Sequence, residues 1–220
     1  MRLTILAATG GVGRHLLRQA VDAGHEVTAV VRDPGRLAVA PAHVVTADLA
    51  TTVDLRPAVD GADAVMSGLG ARTGAQAGVA SRGTRSVVEA MRAIGVRRIV
   101  VVSAASVGTV ASPGRPNPPR HNPGDGLLMR HIAAPLAKAA FRRHYADLAL
   151  MEDVLRDSGL DWTVSRPPRL IEVRLRRRYR TAVGRNVRGG AFIARADVAR
   201  HMIDVLHRPE TFGRDIGIAY

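Results

Sequence analysis

Apolar residues in this chain occur in two alternating patterns: short unbroken runs, and stretches in which they recur every three to four positions. The runs predict strands buried on both faces, and the wider spacing predicts helices with one apolar side. Leu3-Thr4-Ile5-Leu6-Ala7 is the first run, and Val12, Leu16, Leu17, Ala20 and Val21 follow it at helical spacing. Glu26 to Val31 is a second strand, and the gap before it holds one crossover helix, so the two should lie parallel. His43 to Ala47 predicts a third strand and Thr51 to Val59 a helix. Asp63 to Ser67 is a fourth strand, followed by a long helix from Val79 to Ile94 that Gly95 closes. Arg98 to Val102, nearly all β-branched, reads as a central fifth strand.

The pattern then breaks. Ala111 to Gly126 is rich in Pro, Gly and Asn and is longer than an ordinary connection, which suggests a lid or excursion spanning residues 111–145. Leu127 to Phe141 and Tyr145 to Asp157 read as helices. Asp161 to Arg166 is a sixth strand stopped by Pro167-Pro168, with Trp162 a core residue. Glu172 to Arg180 carries Arg174, Arg176, Arg177, Arg178 and Arg180. It reads as a charged edge strand or as a surface for an acidic partner. A last helix runs from Ala196 to about Leu206 with Asp197 capping its start, and Thr211 to Tyr220 forms a final strand. Alternating strands and helices without an internal repeat predict one α/β domain with helices on both faces of a parallel sheet.

The junctions carry the candidate chemistry. Between the first strand and helix lie Thr9, Gly10, Gly11, Val12 and Gly13. Strand, glycine turn and helix in that order make a dinucleotide site: glycines admit a pyrophosphate to the backbone, and the positive helix end holds its charge. The second strand ends in Arg32-Asp33-Pro34-Gly35-Arg36. An arginine there suits a 2′-phosphate, whereas an acidic residue binds a ribose 2′-hydroxyl. Arg32 with Arg36 favours NADP(H) over NAD(H), and Asp33 argues the other way. Asp48, with Leu49, either meets an adenine amino group or caps a turn. The fourth strand ends in Gly68-Leu69-Gly70, a second glycine pair on the ligand side of such a sheet. Ser103 either faces a substrate or simply ends the fifth strand.

Composition narrows the picture. The formal charge is +13, with 32 basic against 19 acidic residues, and Lys138 is the only lysine. Such a field attracts anions. No nucleic-acid-binding motif is present, and aromatics are only 3%, too few for base-stacking platforms. With no cysteine there is no thiolate nucleophile, disulfide framework or thiolate metal site. No apolar run reaches the ~18 residues of a membrane span, and the N-terminus enters a strand directly, so a soluble cytoplasmic protein is expected, as a monomer or homodimer.

Ala8 to Gly13, Val30 to Pro34, Ala47-Asp48-Leu49, Gly61 to Val65, Val101 to Ala104, Met151 to Leu155, Ser158 to Thr163, Arg166-Pro167-Pro168 and Arg195 to Ala199 together carry a resemblance that spans nearly the whole chain. It resembles the atypical short-chain dehydrogenase/reductases, the single-domain NAD(P)H-binding group that includes biliverdin-IXβ reductase/flavin reductase and relatives of the nitrogen-metabolite-repression regulators. The resemblance implies a Rossmann-like sheet of order 3-2-1-4-5-6-7. It puts the pyrophosphate on Thr9 to Gly13 and the 2′-phosphate on Arg32 and Arg36. Adenine would lie by Asp48 and Leu49, and the adenosine ribose and pyrophosphate by Leu69 and Gly70. The nicotinamide would lie by Ser103, Ala104, Pro167, Pro168, Arg169 and Leu170. Arg72 matches an arginine of the closer relatives.

Three departures stand out. The first glycine of the family's Gly-x-x-Gly-x-x-Gly is Ala7, which is expected to keep a negative φ in a slightly altered turn. The hydroxyl that some members use aligns with Ala104, leaving Ser103 as a substitute. The Tyr-x-x-x-Lys pair of the wider superfamily is missing, since Ala149 stands four residues after Tyr145. Tyr145 therefore lacks the lysine that activates the superfamily's tyrosine for proton exchange. His144 and Tyr145 are candidate proton donors, with His121 and His131 behind them. The expected activity is hydride transfer from NADPH to a small conjugated acceptor such as a flavin, quinone or tetrapyrrole. A non-catalytic NAD(P) sensor, or an isomerase or epimerase with tightly held cofactor, are the alternatives.

Overall fold

Strand β1 (Arg2–Leu6) has no solvated face, because its alternate side chains enter two different cores. Leu3 and Ile5 point to one side, where α1 (Gly13–Asp22) and α6 (Arg195–Asp204) lie. Leu6 points to the other, toward α2 (Arg56–Val59), α3 (Val79–Ile94) and α5 (Arg142–Arg156). Strand β5 (Arg98–Val102) divides the same way, with Ile99 and Val101 on one face and Val100 and Val102 on the other. A period of two with both faces apolar is what a sheet covered by helices on each side requires. The computed structural model describes residues 1–70, 77–126, 129–173 and 178–220.

The main sheet adds β2 (Glu26–Val31), β3 (His43–Thr46), β4 (Ala64–Ser67), β6 (Asp161–Arg166), β8 (Arg180–Val183) and β10 (Arg214–Ala219) to β1 and β5, in the order β3-β2-β1-β4-β5-β6-β10-β8. All pairs are parallel except β10 with β8. The expected order of seven parallel strands is therefore present with β10 as the seventh, and an antiparallel edge strand extends it.

Three element boundaries differ from the sequence pattern. The last strand starts at Arg214, because Pro209–Thr211 forms a 3-10 turn that uses Thr211 as a hydrogen-bonding anchor. The charged edge strand is Arg180–Val183 rather than Glu172 to Arg180; Arg174, Arg176 and Arg177 lie outside the described residues. The helix expected over Thr51 to Val59 is only Arg56–Val59, since Pro57 and the Asp54 carboxylate, accepting from the Arg56 N–H at 2.9 Å, mark a late start. A second, two-stranded parallel sheet pairs β7 (Arg169–Ile171) with β9 (Phe192–Ala194). No alternation in such three-residue pieces announces it.

Helix ends are closed by groups from distant segments. Asp147 of α5 accepts from the Ala80 and Ser81 N–H groups, each at 3.0 Å, and so caps α3. Gly95, at φ +90°, ends α3 by donating its N–H to the Met91 carbonyl at 2.8 Å. Arg98 is buried and caps the other end of α6, donating to the Leu206 and Val205 carbonyls at 3.1 and 2.7 Å. Its guanidinium also lies 4.4 Å from the Phe212 ring centre, and burial lowers its pKa to about 10. Asp197 is in the first turn of α6, where it accepts from the Tyr220 hydroxyl. Trp162 packs at the edge of the core. Among the described residues no helix is long and apolar enough to cross a membrane.

His201 of α6 is 4% exposed, and its Nε2 has no hydrogen-bond partner. Burial, against the pull of Asp204 and with the help of Arg208, lowers its pKa from 6.5 to about 4. The unfolded chain takes up a proton there as pH falls below 6.5, and the folded chain does so only near 4. His201 thus contributes full stability above 6.5 and loses it progressively down to 4. Urea unfolding should show about 2 kcal/mol less stability at about pH 5 than at about pH 7 from this residue alone. A His201→Leu variant should lack that component.

Candidate functional site

The candidate residues gather where parallel strands end, the edge at which open α/β sheets bind ligands. At the end of β1 the chain turns sharply. Ala7 sits at φ +56°, the only non-glycine residue with positive φ among those described. The expected negative φ is therefore corrected. The reason is local: the Ala7 carbonyl must swing inward to accept the Gly10 N–H at 2.7 Å. That carbonyl also lies against α1, so that a Cβ added to Gly13 would stand 2.0 Å from it. Gly68, at the end of β4, meets the same junction, where a Cβ would approach the Gly13 nitrogen to 2.9 Å. α1 begins here with no side-chain cap and no acidic residue in its first turn, leaving its positive end available to an anion. Thr9, Gly10 and Gly11 are partly exposed on this turn, and Val12 and Gly13 are buried beneath it.

Arg32 and Arg36 follow β2, are exposed, and make no ion pair among the described residues. Asp33 closes its own turn, its Oδ1 accepting from the Gly35 N–H at 3.0 Å. Asp48 likewise closes its own turn, accepting from the Ala50 N–H at 3.0 Å, while Leu49 and Leu69 are buried beside it. Gly70 ends the described part of this edge, and Arg72 lies outside the described residues.

Ser103, at the end of β5, is buried and donates to Glu152 Oε1 at 2.8 Å. Glu152 is the centre of a network that the sequence pattern did not reveal. Arg166 at the end of β6 grips it with two bonds, Nε to Oε1 at 3.0 Å and Nη2 to Oε2 at 2.5 Å, and Arg156 adds a third at 2.8 Å. Arg166 Nη1 also donates to Asp215 of β10 at 2.6 Å. The signal that could have shown it is an acidic residue, Glu152, between Met151 and Leu155 on the apolar side of a helix. Ala104 is half-buried, and the Ala105 N–H donates to the Pro167 carbonyl at 2.8 Å, tying this strand end to Pro168 and to Arg169 and Leu170 of β7.

The 111–145 excursion reaches the same edge from the side. Its first half is anchored: Ser112 Oγ and the Gly114 N–H donate to Asp153, each at 3.0 Å. Buried Asn122 accepts from the Asn186 N–H at 2.7 Å. Its second half is a π-helical turn, Met129–Ala133, then α4 (Ala134–Ala140) and α5, so the two expected helices are present with α5 starting at Arg142. His144 sits beside Gly70, whose added Cβ would be 3.7 Å from its ring. Its Nδ1 is buried without a partner among the described residues, and burial, opposed by Asp147, lowers its pKa. The half-buried Tyr145 ring centre lies 5.8 Å from that of His144 and 6.0 Å from that of Phe141. His121 and His131 are exposed, with ring centres 5.8 Å apart and planes tilted by 57°.

Residues 7–209 match a family described as NAD(P)H-binding. The chain belongs to that family. A UPF0659 protein of Schizosaccharomyces pombe is 31% identical over 180 residues, covering 75% of this chain and 70% of that protein. Among solved structures, ChuY, an anaerobillin reductase from Escherichia coli O157:H7, is similar with a TM-score of 0.75 and 21% identity, covering 100% of this chain and 97% of its own. A short-chain dehydrogenase/reductase from Veillonella parvula DSM 2008 in complex with NADP aligns with a TM-score of 0.74 and 19% identity, over 100% of this chain and 94% of its own. These structures share the fold. The uncapped end of α1 and the close approach that Gly13 permits fit a pyrophosphate, so the residues present suit the cofactor that the family implies.

The turn makes two testable demands. Ala7→Gly removes a left-handed alanine and should stabilise the chain by about 1 kcal/mol, read as a rise in thermal midpoint. Gly13→Ala forces a methyl into the Ala7 carbonyl and should lose dinucleotide binding in calorimetry. At the neighbouring network, Glu152→Ala leaves Arg166 buried with half its partners and should cost about 3 kcal/mol or more, measured by urea unfolding.

Proposed function

We propose that the chain is an NADPH-dependent reductase that delivers hydride to a small conjugated acceptor such as a flavin, quinone or tetrapyrrole. The observation that carries the cofactor choice is the pair Arg32 and Arg36, exposed past β2 and without an ion pair among the described residues, with Asp33 turned onto Gly35. Two guanidiniums without carboxylate partners suit a 2′-phosphate dianion, which NADH lacks. The dinucleotide, when bound, supplies the hydride.

The chain's own residues supply binding, orientation and a proton. Thr9 to Gly13 offers amides and a helix end to the pyrophosphate, and Asp48 with Leu49, Leu69 and Gly70 forms the adenosine wall. Ser103, its proton directed at Glu152, presents only lone pairs to the cleft and acts as an acceptor beside Ala104. Pro167 to Leu170 closes the nicotinamide end. His144 is the best-placed proton donor, because a buried Nδ1 without a partner, next to Gly70, is a group an acceptor could engage. Burial lowers its pKa, so the proton it passes to the reduced acceptor is replaced from solvent. Tyr145 lies behind it. The Escherichia coli anaerobillin reductase and the NADP-bound Veillonella protein support this reading by their shared fold.

A second reading, a non-catalytic NAD(P) sensor, draws on the engagement of Ser103 by Glu152 and on the missing Tyr-x-x-x-Lys pair. Turnover separates the two. The purified chain should oxidise NADPH in the presence of FMN, a quinone or a bilin, and His144→Gln should lower kcat more than it raises KM. Arg32→Ala should weaken NADPH by roughly tenfold or more while moving NADH by less than about twofold. Tight dinucleotide binding without turnover of any acceptor would establish the sensor instead, and equal weakening of both nucleotides would remove Arg32 from the 2′-phosphate.

A further inference from the structure

Three charged side chains that are far apart in sequence meet over the glycine turn. Glu172 directly follows β7, and Arg195 directly follows β9. The parallel register that sets Ile171 beside Ala194 carries the next residue of each strand out to the same place. Arg195 Nη1 donates to Glu172 Oε1 at 2.7 Å, and Arg14, in the first turn of α1, donates to Oε2 at 2.5 Å. Nε2 of His15 is 3.8 Å from the same carboxylate. The Arg195 side chain lies directly over Gly11, where an added Cβ would stand 2.8 Å from its Nε. Glu172 keeps 54% of its side chain exposed. Burial therefore does not force it into this position. It is an anion held by two guanidiniums at the uncapped, positive end of α1.

We propose that Arg195 and Arg14 grip the pyrophosphate of the dinucleotide, and that Glu172 is a built-in competitor that holds both guanidiniums until the ligand displaces it. This rests on the dinucleotide reading above. The exchange is chemically balanced: one carboxylate leaves two forked donors, and a diphosphate with more charge and more acceptor oxygens takes its place. Neither guanidinium is left unpaired in either state. The bound anion gains what the carboxylate of Glu172 cannot reach, the backbone amides of the Thr9-to-Gly13 turn. Because both nucleotides contain the same bridge, Glu172 sets the affinity for NADPH and NADH alike, whereas Arg32 and Arg36 distinguish them.

Calorimetric titration of the full chain with NADPH, NADH and inorganic pyrophosphate tests this without any turnover. Glu172→Gln should tighten all three, roughly threefold to tenfold, and Arg195→Gln should weaken all three by roughly tenfold. In the Arg195→Gln background, Glu172→Gln should gain less than it does alone, since one of its two captives is already gone. Arg14→Gln, an exposed position, carries the same test if Arg195→Gln does not fold. Wild-type binding that Glu172→Gln leaves unchanged or weakens would overturn the competitor while leaving the dinucleotide site standing. Arg195→Gln and Arg14→Gln both binding like wild type would overturn the grip. A wild-type chain that takes up none of the three at millimolar concentration would remove the underlying site, and this proposal with it.

Discussion

A buried carboxylate sets the geometry of this molecule's working edge. Glu152 has side-chain exposure of 2% and receives four donors: Ser103, two nitrogens of Arg166, and Arg156. An ionised group so deeply placed is tolerable only if every lone pair is used, and here each oxygen takes two bonds. The consequence is mechanical. β5 ends at Ser103, β6 ends at Arg166, α5 contributes Glu152 and Arg156, and Asp215 draws β10 into the same knot. Asp153, next in sequence, holds the 112–114 turn. The place where a nicotinamide would lie is therefore framed by one charge cluster rather than by loose loops, and a polar network of that kind specifies a single arrangement of the elements it joins.

The opposite side of the cleft follows a different rule. Around the start of α1 the chain removes bulk rather than adding bonds. Gly13, Gly10 and Gly68 let three backbone segments approach to distances a methyl group would not permit, and Ala7 adopts a left-handed conformation to allow it. Strain of about 1 kcal/mol at one residue is a modest cost for a close approach repeated at the junction of β1, α1 and β4. The helix end that results is bare and positive. Glu172, Arg14 and Arg195 gather there, because an uncapped helix N-terminus and two guanidiniums together favour any anion that can reach them. The high arginine content is thus distributed into distinct tasks. Arg98 and Arg166 are structural and buried, Arg14 and Arg195 face the turn, and Arg32 and Arg36 lie exposed beyond β2 without an ion pair among the described residues.

Much of the fold was legible before any coordinates. Strands buried on both faces leave unbroken apolar runs, and β1, β2, β4, β5 and β6 were readable to within a residue or two for that reason. The turn between β1 and α1 was readable because close backbone approach demands glycine. The resemblance supplied the strand order. The edge elements were less legible: β8 and the β7–β9 pair are short, partly exposed and not alternating, so no period marks them. Ala7 was misjudged because φ is set by where its carbonyl must point, which depends on Gly10 and Gly13 across the turn.

By itself the sequence determined the fold class, the position of the glycine turn between β1 and α1 and the basic end of β2, since each depends on local pattern: hydrophobic period, glycine at a tight junction, arginine at a strand end. Only the tertiary structure decided that Ser103 gives its proton to Glu152, that His144 comes to rest against Gly70, and that Glu172 lies between Arg14 and Arg195. The physical reason is that partners 23 to 158 residues apart are chosen by packing and strand register rather than by any spacing along the chain.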